Sequence, residues 1–499
     1  MKNALIRILC LSLILALCIP MVACDQLLSG GLLGKLFSQT FQDLEIDPDT
    51  MPEVDISGIE SAIETMTSDD LADRIETEPQ VQTEQITTKI EYTTEPETTK
   101  PPVVDAPATE IETTEIGTEP PRPTFSEGLA YSSKGNGTCK VVGLGNCTET
   151  DIVIPSISPA GDRVTGIDAE AFRGCANLTS IIIPDSVTYI GQWPFEGCSN
   201  LAEIIVDPNN HVYHSENNCL IKTSDNTLIQ GCQTSVIPTT VKSIGPRAFF
   251  GCSGLTCITI PDSVTSIDVN AFKNCSGLTR VTIPGSVTSI GMYAFSGCTG
   301  LTDITISNGV KSISDYAFTD CTGLTSITIP DSVTSIGQSA FVSCTGLTSI
   351  SIPDSVTSLG GNAFAGCKNL TSITIPNRIT SIDGNTFYSC HNLTSIIIPD
   401  SVTSIGENAF YFCENLTSII IPDSVTSIGS KAFYSCLNLT SITISNSMKS
   451  IAENSFFFCR NLDNVYFTGT EQEWASIAIA SGNEYLSSAT IHYNYVPEE

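Results

Sequence analysis

One order of apolar and polar positions recurs along most of the chain, and residues 392–413, NLTSIIIPDSVTSIGENAFYFC, show it clearly. Leu393, Ile396 and Ile398 have the spacing of side chains on the inner face of a short strand. Pro399 lacks a backbone donor and ends that strand. The pattern then predicts a second short extended piece and a turn, with further inward-facing residues: Val402, Ile405, Ala409, Phe410 and Cys413.

The cysteines give the length of this unit. Cys175 and Cys198 are 23 residues apart, and the 54 residues from Cys198 to Cys252 leave room for one unit, at Cys232, that is eight residues longer. A strict period predicts a β-rich repeat solenoid of short parallel strands in 23-residue coils, because each coil buries its apolar side chains only against the next. The 23-residue interval continues through Cys252, Cys275, Cys298, Cys321, Cys344, Cys367, Cys390, Cys413, Cys436 and Cys459.

The longer unit predicts an insertion early in the array, over about residues 207–232. Its sequence HVYHSENNCLIKTSDNTLIQGC, residues 211–232, places apolar runs on both sides of the turn residues SDN. We therefore expect a β-hairpin that projects from the side of the solenoid.

The repeated pattern LTSIxIPDSVTSIGxxAFxxC resembles the BspA-like, or Treponema pallidum-type, leucine-rich repeat from about residue 164 to 465. The flanking residues 127–163 and 466–499 are similar to the N- and C-terminal caps of such arrays, and a solenoid needs capped ends. The resemblance implies a cell-surface protein that works by binding or adhesion. It does not imply a particular ligand.

The N-terminus has the layout of a bacterial export signal. Lys2 and Arg7 precede an apolar run, and residues 21–24, MVAC, resemble a lipobox, in which cleavage leaves Cys24 as an acylated N-terminus. We therefore predict a lipoprotein signal peptide over residues 1–23 and a lipid anchor in the membrane at Cys24. An ordinary secretory signal cut nearby is the alternative.

Residues 24–126 predict a disordered acidic stalk that joins the lipid anchor to the array. Residues 41–125 carry 22 acidic and four basic side chains, so −18 of the formal net charge of −32 falls there. Few large apolar residues interrupt the Thr, Glu and Pro, and such a segment buries too little surface to fold. The strong acidity also excludes nucleic acid as a partner, since phosphate binding requires a basic surface.

Aromatic residues accumulate at one position of the last coils. The residue after the repeated Phe is small or β-branched in the middle coils and becomes Tyr388, Tyr411, Tyr434 and Phe457 in the last four. Phe412 and Phe458 stand beside this column. Because aromatic side chains dominate interface energies, we predict that these six form a ligand-contact ridge. The alternative is that the rings pack over the coil edge and shield the core; the outward Ile182, Ile205, Ile397 and Ile420 are ambiguous in the same way.

The other conspicuous residues do not form a catalytic or metal-binding set. The cysteines of the period are interpreted as small buried hydrophobes at a turn. Cys139 and Cys147 are eight residues apart in a predicted hairpin, and this spacing permits either a disulfide or two free thiols. His211 and His214 lack a third ligand for a metal. We therefore expect no enzyme activity, no metal and no cofactor, and we interpret the recurring Asn-Leu-Thr as turn residues instead of glycosylation sites.

These observations predict a lipid-anchored protein on the extracellular face of the cell membrane. Its expected work is that of an adhesin or receptor-like protein that recognises a host or matrix protein, another cell surface or a glycan. The alternative hypothesis is a structural spacer or self-association module of the cell envelope, in which a uniform Ser/Thr face contacts like molecules.

Overall fold

The computed structural model describes residues 125–496 as a parallel β-solenoid of about 15 turns. Most regular coils contribute one strand of three or four residues and one strand of two residues, and most equivalent strands of neighbouring coils pair in parallel. The predicted solenoid of 23-residue coils is therefore confirmed. The predicted signal peptide, Cys24 and almost all of the predicted stalk lie outside the described residues.

The N-terminal end begins with the strands β1 (Ala130–Ser133), β2 (Thr138–Gly143), β3 (Asp151–Val153), β4 (Arg163–Ile167), β5 (Ser180–Ile183), β6 (Tyr189–Ile190) and β7 (Glu203–Val206). Strands β1 and β2 form an antiparallel hairpin, but β2 already pairs in parallel with β4, and β3 with β5. The stacking thus starts upstream of residue 164. The predicted cap over residues 127–163 contains a full coil, and its antiparallel pairs are the β1–β2 hairpin and a bridge between Ile157 and Arg163.

The insertion forms a three-stranded meander of β8 (Tyr213–Glu216), β9 (Cys219–Lys222) and β10 (Thr227–Gln230). The residues SDN do lie in the turn between β9 and β10. The predicted hairpin is therefore present as β9 and β10, but it does not project from the solenoid, because β10 pairs in parallel with β11 (Ser243–Ile244) and continues the sheet of the array. The physical reason is burial, since Leu220, Ile221 and Leu228 are fully buried and hold the meander in the core.

The regular coils follow without a further insertion. Their strands are β12 (Cys257–Thr259), β13 (Ser266–Ile267), β14 (Arg280–Ile283), β15 (Ser289–Ile290), β16 (Asp303–Ile306), β17 (Ser312–Ile313), β18 (Ser326–Thr328), β19 (Ser335–Ile336), β20 (Ser349–Ser351), β21 (Ser358–Leu359), β22 (Ser372–Thr374), β23 (Ser381–Ile382), β24 (Ser404–Ile405), β25 (Ser418–Ile420), β26 (Ser427–Ile428), β27 (Ser441–Ile444) and β28 (Ser450–Ile451). The longer strands lose their ladder between β22 and β25, where only one bridge, from Thr374 to Ile397, remains.

The C-terminal end is an irregular coil that closes the array. It contains β29 (Asn464–Phe467), α1 (Glu471–Ala475), β30 (Ala478–Ile479), α2 (Glu484–Ser488) and β31 (Thr490–His492). Thr470 and Glu473 form a capping box that fixes the start of α1. Strand β30 pairs with β28 and β31 pairs with β29, so the predicted cap of residues 466–499 continues the stacking as far as residue 492.

A row of phenylalanines runs through the core. Neighbouring rings stack with centroids 4.9 to 5.9 Å apart, except across the meander. Strand β9 divides the core in two, because Leu220 packs with the N-terminal cluster while Cys219 and Ile221 pack with the C-terminal one. The phenylalanines, all less than 2% exposed, are Phe172, Phe195, Phe249, Phe272, Phe295, Phe318, Phe341, Phe364, Phe387, Phe410, Phe433 and Phe456.

Candidate ligand-binding ridge

The six residues of the predicted ridge lie on the turn that follows the second strand of each coil. The repeated Phe points into the core, the next residue is partly exposed in the last four coils, and the residue after that has a positive φ. Backbone hydrogen bonds clamp this turn to the next coil: Ser389 N–H donates to Tyr411 O at 2.7 Å, and Ser435 N–H to Phe457 O at 2.8 Å. The outward side chains are therefore carried on a rigid, regularly spaced backbone.

The structure brings all six residues together in one contiguous cluster, which we call the ridge. Tyr388 and Tyr411 stack with centroids 5.0 Å apart, Tyr411 and Tyr434 at 4.6 Å, and Tyr434 and Phe457 at 5.3 Å. All the ridge side chains are partly exposed. Because stacked rings cover each other's faces, the Tyr stack offers mainly ring edges for contact.

Phe412 and Phe458 stand across the stack instead of in it. Phe412 meets Tyr411 edge to face at 4.5 Å, and Phe458 meets Phe457 in the same way at 4.4 Å. Both have left-handed backbone, with φ of 58° and 60°. The Arg460 guanidinium lies 5.1 Å from the centroid of the Phe458 ring. Left-handed backbone is costly for a bulky residue, so these two rings occupy positions that local preference disfavours.

Burial raises the pKa of the ridge tyrosines still further above neutral pH. Burial raises the pKa of Tyr411 to about 12, and the nearby Tyr434 and Tyr388 add to the effect. Burial also raises the pKa of Tyr388, against which a hydrogen bond with Ser389 acts. The ridge therefore presents uncharged aromatic surface across the physiological range of pH.

A second group of large side chains lies on the same turns in the N-terminal half, and the sequence analysis missed it. We call it the cation–aromatic cluster; it consists of Trp193, Arg247, Phe250, Lys273, Tyr293 and Tyr316. The Arg247 guanidinium lies 3.8 Å from the Trp193 ring centroid and 5.5 Å from that of Phe250. The Lys273 ammonium lies 4.4 Å from the Tyr293 centroid, and Tyr293 stacks on Tyr316 at 4.6 Å. Variation two residues before the repeated Phe was the signal that could have found it.

The cysteines of the period are structural. Each Sγ in the regular coils donates to the carbonyl oxygen of a Phe in the preceding coil, as from Cys275 to Phe249 O at 3.0 Å and from Cys413 to Phe387 O at 3.2 Å. Burial raises the pKa of both thiols well above the ordinary value. The interpretation of these residues as small buried hydrophobes agrees with this environment, which also uses the weak S–H donor.

Cys139 and Cys147 are both buried and free in the structure, which therefore does not contain the disulfide that their spacing left open. Cys139 lies on β2 and its Sγ contacts Asp162 O at 3.8 Å. Burial raises the pKa of this thiol above its ordinary value. The reason is that β2 is already part of the stacked coils, so its inward side chain joins the core.

Equivalent outward-facing Thr and Asn residues of successive coils form ladders of hydrogen bonds. Thr371 Oγ1 donates to Thr348 O at 3.1 Å, and Thr394 Oγ1 to Thr371 O at 3.2 Å. The Asn side chains of the last four Asn-Leu-Thr triplets form hydrogen bonds with one another, as from Asn415 Nδ2 to Asn392 Oδ1 at 3.1 Å. These Asn therefore link successive coils, as turn residues that hold the stack.

The remaining candidate residues stay apart. His214 Nδ1 lies 3.1 Å from Thr223 Oγ1 within the meander. Over residues 125–496, no three His, Cys, Asp or Glu side chains come together as ligands for a metal ion, and no helix has the length and apolar character to cross a membrane. Ile397 and Ile420 are 82% and 58% exposed and border a shallow groove of about 360 Å³ where the ladder of the longer strands is interrupted.

Comparison with known proteins places this geometry in a family. The family described as BspA type Leucine rich repeat region, in six copies, matches residues 145–230, 227–348, 311–399, 334–463 and 380–495. A leucine-rich repeat protein from Bacteroides ovatus is 31% identical, with 74% of this chain and 98% of that chain covered and a TM-score of 0.52. No protein of curated function matches the chain.

Two further solved structures are similar in sequence. A leucine rich cell surface protein from Faecalibacterium prausnitzii is 27% identical over 72% of this chain and 98% of that one, with a TM-score of 0.40. The T. pallidum leucine rich repeat protein is 28% identical over 37% of this chain and 78% of that one, with a TM-score of 0.31. The family match covers residues 145–495, and the 23-residue coils and their inward-facing residues agree with it. The chain therefore belongs to the BspA-type leucine-rich repeat family.

Proposed function

We propose that the chain is an exported, lipid-anchored adhesin or receptor-like protein of the cell surface, and that the ridge contacts its ligand. The ligand would be a host or matrix protein, another cell surface or a glycan. Family membership supports the role of a binding scaffold, and the Faecalibacterium relative is described as a cell surface protein. Neither catalysis nor a cofactor is part of this proposal.

The backbone of Phe412 and Phe458 is the observation that carries the proposal. The other ten coils of the row place only small or polar residues at this left-handed position. A bulky residue held in this region marks a place where function outweighs local stability. The residues at the position in the other coils are Gly174, Gly197, Gly251, Asn274, Gly297, Asp320, Ser343, Gly366, Ser389 and Ser435.

Shielding of the core does not account for the ridge. In the middle coils the residue after the repeated Phe is Ser296, Thr319, Val342 or Ala365, and Ser296 and Ala365 are themselves buried. The phenylalanines of those four coils are 0% exposed, as buried as those beneath the ridge. A small side chain is therefore enough to close the core, and the large rings of the last four coils serve another purpose.

The chemistry of the ridge favours a protein ligand over a sugar. Tyr and Phe supply large, rigid contact area, and aromatic anchors dominate the energies of protein interfaces. The faces of Tyr411 are already covered by Tyr388 and Tyr434, which leaves edges for contact. The arrangement thus suits insertion between the side chains of a protein surface better than the stacking of a sugar ring.

The alternative of a spacer or self-association module is less well supported. It relies on the Ser/Thr faces of the solenoid for contacts between like molecules. The Thr residues that precede the longer strands form one column of these faces, and their hydroxyls donate within the molecule, as from Thr417 Oγ1 to Thr394 O at 3.4 Å and from Thr440 Oγ1 to Thr417 O at 3.1 Å. The donors of this column are therefore already used, which weakens it as a polar contact surface.

The test is a binding screen of the full chain against immobilised fibronectin, fibrinogen, laminin, collagen and mucin, and against a printed glycan array. The test variant is Phe412→Ser/Phe458→Ser, because Ser stands at the same position in neighbouring coils. The matched control is Asn274→Ser, the same position outside the ridge. We expect a bound protein whose affinity falls at least tenfold in the double variant and is unchanged in the control.

Two results would count against the proposal. A ligand bound equally by the double variant would mean that the ridge is not the contact surface. If the folded wild-type chain binds nothing on the whole panel, that result would favour the spacer hypothesis.

A further inference from the structure

The cation–aromatic cluster shows the same conflict with local preference as the ridge, at a different position of the coil. Trp193, Arg247, Tyr293 and Tyr316 have left-handed backbone, with φ of 54°, 59°, 57° and 59°. Asn tolerates this conformation best among residues with a side chain beyond Cβ, and it is the commonest choice at this position. It occurs there as Asn270, Asn362, Asn385, Asn408 and Asn454.

Core packing does not require the large side chains of the cluster. In coils with Asn at this position, Phe272, Phe364 and Phe410 are 0% exposed. Phe295 and Phe318, in the coils of Tyr293 and Tyr316, are also 0% exposed. The bulky residues therefore add nothing to closure of the core, and strain without a packing benefit points to a functional surface.

The two cations of the cluster differ in their counter-ions. Glu196, 6% exposed, forms an ion pair with Arg247 and lies 3.7 Å from Arg173. Lys273, by contrast, has no carboxylate within ion-pair distance among the residues that the structure describes, although Asp320 and Glu196 act on it from further away. Burial lowers the pKa of Lys273, and the nearby Arg247 lowers it further. A half-buried ammonium without a close counter-ion is suited to receive an anion.

We propose that the cation–aromatic cluster is a second recognition site, separate from the ridge, which takes a carboxylate side chain of a protein partner on Lys273. Apolar groups beside that carboxylate pack against Tyr293, Tyr316 and Trp193. The carboxylate supplies the counter-ion that Lys273 lacks, and desolvation by the partner strengthens the pair.

The composition and geometry of the cluster identify the partner as a protein. Trp, Tyr and Arg are the residue types most enriched at the energetic centres of protein interfaces. Arg247 covers a face of Trp193, and Tyr293 lies between Lys273 and Tyr316. Few ring faces are therefore free to stack on a sugar, whereas edges and the ammonium remain for side chains.

The experiment uses the labelled full chain on a printed array of random 15-residue peptides, next to a printed array of neutral, sialylated and uronate-bearing glycans. The test variants are Lys273→Gln and Tyr293→Asn/Tyr316→Asn, the second of which installs the residue that other coils use. Lys311→Gln is the control for loss of one positive charge elsewhere, and Phe412→Ser/Phe458→Ser is the control for the ridge. Circular dichroism verifies that each variant is folded.

We expect the retained peptides to be enriched in Asp or Glu beside apolar residues, and their Asn or Gln analogues to be released. Both test variants should weaken binding of these acidic peptides at least fivefold, while Lys311→Gln leaves it unchanged. Peptides that only Phe412→Ser/Phe458→Ser releases are assigned to the ridge. The proposal is overturned if no peptide is retained, if acidic residues are not enriched, or if the glycans alone bind. Binding that depends on Phe412 and Phe458 but not on Lys273 would also overturn it, while supporting the ridge.

Discussion

The backbone N–H of Phe412 donates to the carbonyl oxygen of Tyr434 at 2.9 Å, while the two rings stand at 84° with centroids 6.2 Å apart. One residue thus contacts the next coil through both its backbone and its side chain. The hydrogen bond is common to the turns of the array, but the ring contact exists only because a bulky residue occupies the left-handed position. The backbone contact that stacks the coils and the side chain that we propose contacts a ligand can therefore be tested separately at this residue.

Replacement of Phe412 by Gly should leave the stability of the fold almost unchanged. Relief of the left-handed strain contributes about 1–2 kcal/mol, and the lost edge-to-face contacts cost roughly 0.5–1.5 kcal/mol. We expect a change in Tm of no more than about 3 °C, measured by scanning calorimetry. A large drop in Tm would mean that the ring is needed for folding and would weaken the functional interpretation.

Phe410, two residues earlier, should behave in the opposite way. Its ring is fully buried between Phe387, at 5.4 Å, and Phe433, at 5.1 Å. Phe410→Ala removes these contacts and leaves a cavity, at a cost of about 3–5 kcal/mol. Urea unfolding followed by circular dichroism checks this, with Phe412→Gly as the neighbouring control. Equal stability of the two variants would contradict the assignment of inward and outward residues.

The cysteines of the regular coils should resist alkylation in the folded protein. Cys436 and Cys413 are fully buried, and burial raises the pKa of both thiols, so little reactive thiolate forms near pH 8. Cys257, on β12, is exposed. We expect iodoacetamide at pH 8 to modify Cys257 quickly and the other two only after unfolding, as read by peptide mass spectrometry. Fast modification of Cys413 in the native protein would show that the turns open.

Alkaline pH should destabilise the ridge through Tyr411. Its pKa is raised to about 12 in the folded chain, above the ordinary value of 10.0. Stability from this group is thus fully present below pH 10 and falls as the pH rises toward 12, because only the unfolded chain ionises readily in that window. The Tm of Tyr411→Phe should decline less than that of the wild type between pH 9.5 and 11.5, in steps of about half a unit. Parallel declines would refute a special role for this phenol.

The solenoid itself followed from the sequence. Leu393, Ile396 and Ile398 predict an inward strand, and their equivalents at 23-residue intervals predict the stack, because an open coil has no core without its neighbour. The same column comparison collected Tyr388 and Tyr411 into one ridge, and the structure places them in contact. The same positions are buried in every coil, so the sequence of each repeat is enough to recognise them.

The sequence did not reveal how the irregular segments fit. Leu220, Ile221 and Leu228 hold the meander inside the sheet, where a projecting hairpin was expected. Within the predicted caps, β2 pairs in parallel with β4 and β31 with β29, so both segments join the ladders of the array. The position of each irregular strand depends on which strand, distant in sequence, has an unpaired edge. The sequence of the irregular segment does not contain that information.

The sequence by itself determined the period, the inward residue set and the existence of an aromatic column. Only the tertiary structure decided that Phe412 has left-handed backbone and that Trp193 and Arg247, 54 positions apart, stack on each other. The physical reason is the difference between periodic and non-periodic contacts. The pattern of buried residues repeats in every coil and is therefore visible in the sequence of each repeat. Backbone strain and contacts across the meander arise only once the coils have stacked.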